Sequence, residues 1–133
     1  MTIEEKEEYQ AKRREIYNRI TAMLDRYLPR GYKKAVLGFF YISRSSVPAM
    51  KLYFQPENES QFKDYIYAEY PDQLSEISDL CEELYYLMRK VDDKWTSFTF
   101  VRMSSGLFNA KFGYDLIRTV DHMFLLNWRS NYF

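Results

Sequence analysis

The stretch DKWTSFTFVRMSSGLFNAKFGYDL, from Asp93 to Leu116, decides the fold. In its first arm Phe98 and Phe100 share a face with Thr96, while Trp95, Ser97, Thr99 and Val101 share the other. In its second arm Phe108, Ala110, Phe112 and Tyr114 alternate with Leu107, Asn109, Lys111 and Gly113. A period of two is the signature of a strand. Met103-Ser-Ser-Gly106 between the arms supplies a turn, and Gly106 can take the positive φ that a hairpin loop needs. The stretch therefore predicts an antiparallel hairpin with one aromatic face.

Upstream of the hairpin the period changes. Leu74, Ile77, Cys81, Leu84, Met88 and Val91 recur at helical spacing after Pro71-Asp72, and Glu76, Asp79, Glu83 and Tyr86 take the opposite side. Before that helix FKDYIYAEY alternates again. It predicts a strand with Phe62 and Ile66 on one side and Lys63, Tyr65 and Tyr67 facing solvent on the other. AMKLYFQ reads as a half-buried strand, with Met50, Leu52 and Phe54 alternating with Lys51 and Tyr53. AVLGFFYIS is apolar on both alternating faces, which predicts a central strand covered from both sides.

The chain begins with helical spacing through Tyr9, Ile16, Ile20, Met23, Leu24 and Tyr27, stopped by Pro29 and Gly31. Acidic residues lead and basic ones follow, which suits the helix dipole. A last helix is expected to bury Ile117, Val120, Met123, Phe124 and Trp128. The resulting order, α-β-β-β-α-β-β-α, predicts a single α+β domain over residues 1–133, with three helices and a largely antiparallel sheet of about five strands.

Composition excludes several classes. One cysteine leaves no internal disulfide and no cysteine-rich zinc site. No segment approaches a membrane span and the charged start lacks a signal peptide's apolar run, so a cytoplasmic protein is expected. His122 beside Asp121 reads as a surface pair, and Cys81 in an apolar stripe reads as core. Neither spacing nor clustering points to a catalytic residue, a metal site or a cofactor. The hairpin lacks the basic, glycine-rich signature of an RNA-binding strand, so no nucleic-acid partner is expected either.

Net charge is zero but unevenly spread. Residues 56–93 hold 11 acidic and 3 basic side chains, whereas residues 1–34 hold 9 basic and 6 acidic ones. The 13 tyrosines and 10 phenylalanines are a high aromatic content, read first as core and sheet surface and alternatively as a contact surface, because Tyr is enriched at the centres of interfaces.

Four pieces carry a resemblance: REIYNRITAMLDRYLPRGYKKAVLGFFY (14–41), KLYFQ (51–55), DLCEELYYLMR (79–89) and KWTSFTFVRMSSGLFNAKFGYD (94–115), with Trp128 after them. In this order they resemble the YezG/EsaG-like family of bacterial immunity proteins, antitoxins of secreted polymorphic toxins. Members of that family are usually strongly acidic, and here only the middle segment is. The resemblance implies a non-catalytic protein that neutralises a cognate toxin domain, such as a nuclease, by occluding it. The rival reading is a secretion-system chaperone that binds its client without inhibiting it. Charge segregation and outward tyrosines place the expected contact surface on Glu57, Glu59, Tyr65, Tyr67 and Glu69, together with Glu76, Asp79, Glu83 and Tyr86. The oligomeric state is left open by the sequence.

Overall fold

A computed structural model describes residues 1–133. The elements run α1 (Ile3–Tyr27), β1 (Lys34–Phe40), β2 (Ala49–Gln55), β3 (Lys63–Asp64), α2 (Pro71–Arg89), β4 (Ser97–Met103), β5 (Phe108–Gly113) and α3 (His122–Arg129). This is the expected α+β order. The strands form one antiparallel sheet in the order β3-β2-β1-β4-β5.

Local chemistry sets the helix ends. Thr2 Oγ1 accepts from the Glu5 N–H (3.1 Å) and starts α1. Leu28, held extended by the following Pro29, ends it. Gly31 then turns the chain into β1 with φ +81°. Pro71 opens α2, where its missing N–H costs nothing. The Asp121 carboxylate accepts from the Phe124 N–H (2.9 Å) and caps α3.

β1 is central, and every residue from Ala35 to Phe40 is buried. Its odd-numbered side chains, Ala35, Leu37 and Phe39, join the core that α1 and α2 close with Ile16, Ile20, Leu24, Ile77, Leu80 and Leu84. Fully burying each of the leucine and isoleucine side chains contributes about 1.5–3 kcal/mol. Phe98 and Phe100 of β4 enter the same core, and the Tyr17 ring of α1 lies against both (6.4 and 6.1 Å) and against Phe108 of β5 (5.8 Å). The two helices run antiparallel, as the Arg19–Glu83 and Tyr27–Glu76 contacts show.

The second face of the sheet is closed by α3. Phe40 meets Phe124 and Trp128 edge-on (5.1 and 5.3 Å), and Trp128 Nε1–H donates to Thr99 Oγ1 (2.9 Å). The indole lies over Gly38, where a Cβ would come within 2.5 Å of Trp128 Cζ2. Glycine here permits the close approach of a ring to a strand.

Three expectations need correction. The strand expected over residues 62–70 pairs only at Lys63 and Asp64. Trp95 lies in the helix-side core near Phe98 (5.9 Å), not on the opposite face. The Thr96 N–H bonds Gly113 C=O (2.8 Å) although Gly113 pairs with Ser97, so one extra residue at the start of β4 shifts the alternation. Met123 is exposed, because Phe124 and Trp128, one turn apart, set the face that α3 turns to Phe40, and Ile117 and Val120 precede the helix.

Gly38→Ala forces the indole off the sheet. It should destabilise the protein by about 1–3 kcal/mol, read as a lower urea midpoint with an unchanged slope.

Candidate partner interface

The expected contact residues fall into three groups. Tyr67, Glu69 and Asp79 are exposed around the N-terminal half of α2. Tyr67 and Asp79 line a groove of about 520 Å³ between that helix and the open half of β2, with Val47, Met50, Ile66 and Ser78. Glu76, Glu83 and Tyr86 are exposed further round α2, toward α1. There Tyr27 Oη donates to Glu76, and Arg19 reaches Glu83 at 3.5 Å. The bond to Glu76 holds the Tyr27 phenol above its usual pKa. Glu57 and Glu59 lie beyond the other end of β2. Glu57 covers Gly31, and Glu59 pairs with Lys63 (3.2 Å).

Tyr65 is a correction. It was expected to face solvent, yet it is 5% exposed. Its ring stacks on Tyr70 (4.1 Å, 7° between planes) and meets Phe54 at 6.4 Å. Alternation assigned its face correctly, with Lys63. That face is covered by the α1–α2 layer, and burial raises the phenol pKa.

Past Tyr65 the chain leaves the sheet in a turn, so Ile66 and Tyr67 emerge side by side, 45% and 62% exposed. Val47 beside them is 69% exposed. Sequence reasoning missed Ile66 and Val47. The strand period runs through Ile66, and Val47 lies between two predicted strands, where no pattern marks it. Asp79, which lines the groove, and Glu69 and Asp72, close to Tyr67 in the chain, have no ion-pair partner, and Asp64 of the lining is bridged to Lys51 (3.1 Å). An apolar centre within a charged rim is the anatomy of a protein interface.

The other candidates for chemistry are placed apart. Cys81 is wholly buried in the α2 stripe, and burial pushes its thiol pKa up, away from the reactive thiolate. His122 is exposed at the start of α3. No three His, Cys, Asp or Glu side chains converge as metal ligands, and no helix is long and apolar enough to cross a membrane. In comparisons with known proteins, no family model matches the chain and no curated protein matches it in sequence.

The buried and exposed tyrosines should separate cleanly on truncation. Tyr65→Ala should cost about 3 kcal/mol, whereas Tyr67→Ala should stay within about 0.5 kcal/mol. Chemical denaturation of the two variants measures both.

Proposed function

We propose that the protein is an immunity protein that binds a cognate secreted toxin domain and neutralises it by covering its working surface. The observation that carries this reading is the groove where exposed Val47, Ile66 and Tyr67 meet the unpaired carboxylate of Asp79, with the unpaired Glu69 and Asp72 close by in the chain. The apolar side chains supply desolvated anchors, and the carboxylates steer a basic partner toward them. A nuclease domain presents such a basic groove, because it must hold phosphates. An acidic face seated there competes with the nucleic acid for the same charges. The resemblance of residues 14–41 and 94–115 to immunity proteins supports the same reading, and the protein then acts inside the cell that makes the toxin.

Co-expression with candidate secreted nuclease toxin domains tests the proposal. The wild-type chain should restore growth and bind the purified domain. The double variant Tyr67→Ala/Asp79→Lys should fold normally and lose about 2–4 kcal/mol of binding free energy, measured by calorimetry. Binding without protection would assign the chain to the escort class instead. Unchanged affinity in the double variant would remove this surface from the interface.

A further inference from the structure

The edge of the sheet opposite the groove is a bare strand. Leu107 and Gly113 turn their carbonyls inward, to the Met103 and Thr96 N–H groups (both 2.8 Å). Backbone groups alternate along a strand, so Asn109 and Lys111 also bond β4. Phe108, Ala110 and Phe112 therefore aim their N–H and C=O groups away from the sheet, and no element pairs with them. The opposite edge is blunted by familiar devices: β3 is two charged residues long, and Pro48 and Pro56 flank β2. β5 has no proline, a regular register and one charge, Lys111.

We propose that β5 pairs antiparallel with β5 of a second copy of this chain, about a two-fold axis through Ala110. The two sheets then become one.

The sequence FNAKFG is self-complementary in that register. On the face beneath α1, Phe108 falls opposite Phe112 of the second copy, a favourable cross-strand aromatic pair. On the other face Asn109 falls opposite Lys111, which keeps the two lysines apart. Leu107, 71% exposed, falls opposite Gly113, over which the Ser97 hydroxyl lies. Slipping the register one step one way sets Lys111 directly against Lys111, a destabilising like-charge pair. Slipping it the other way carries Phe112 past the end of the partner strand, opposite Gly106.

The Tyr17 contacts place α1 above β4 and β5. Strand spacing then sets the two α1 axes roughly 10–14 Å apart, at or beyond ordinary helix-packing distance. A net charge of zero imposes no long-range repulsion between copies. The groove lined by Tyr67 and Asp79 lies at the far edge of each sheet, so both copies keep it free.

Sedimentation equilibrium over a concentration series tests the dimer without any toxin. The wild-type chain should approach twice its chain mass. Ala110→Pro deletes an outward N–H that β4 does not use, and should give a monomer with unchanged circular dichroism. Two milder variants serve if that one fails to fold. Asn109→Lys sets like charges against Lys111 twice and should weaken the dimer about tenfold. Asn109→Glu should tighten it several-fold. A wild-type chain that stays monomeric throughout, or a dimer indifferent to the sign of the charge at residue 109, overturns the proposal.

Discussion

The structure depends on the contact of Trp128 with the bare backbone of Gly38. A five-stranded sheet with helices on one face alone would leave Val36, Phe40 and Tyr53 in water, and all three are buried. The indole lies over the one position of β1 that has no side chain, and its N–H is satisfied by Thr99 on the neighbouring strand. A buried polar ring atom costs free energy unless it is bonded, so Thr99 makes the docking tolerable as well as specific. Phe62, Tyr53 and Arg129 extend the same layer toward the β3 edge, with the guanidinium over both rings (5.0 and 5.6 Å).

This double cover explains which parts of the fold were legible in the sequence. AVLGFFYIS announced a strand buried on both faces because both of its alternating sets are apolar, and that is where β1 lies. The α2 stripe was equally plain, since Leu74, Ile77, Cys81, Leu84 and Met88 are all buried, and only Val91, past the end of the helix, is half-buried. The FKDYIYAEY segment misled because alternation reports a residue's face and is silent on what covers that face. Tyr65 shares Lys63's side, but the helix layer reaches it and leaves Lys63 at the rim. Trp95 was lost to one extra residue at the start of β4, which carries no marker in the sequence.

The contact surface was legible by charge and illegible by shape. Glu76, Asp79, Glu83 and Tyr86 are exposed, as a helix period requires when its other face is core. Their grouping follows from neighbours that sequence spacing does not reveal. Tyr27 and Arg19 of α1 occupy Glu76 and Glu83, while Asp79 looks onto the groove. The aromatic surplus divides in the same way. Most rings build the two layers, as the Phe39, Trp95 and Tyr85 contacts illustrate, and a few such as Tyr67 stand clear of both.

The two tryptophans lie on opposite sides of the sheet, Trp95 under the α1–α2 layer and Trp128 under α3. Each layer thus contains its own intrinsic fluorophore. A chain keeping only one indole would light up one interior at a time, so detachment of the short helix and melting of the larger core could be followed as distinct optical events.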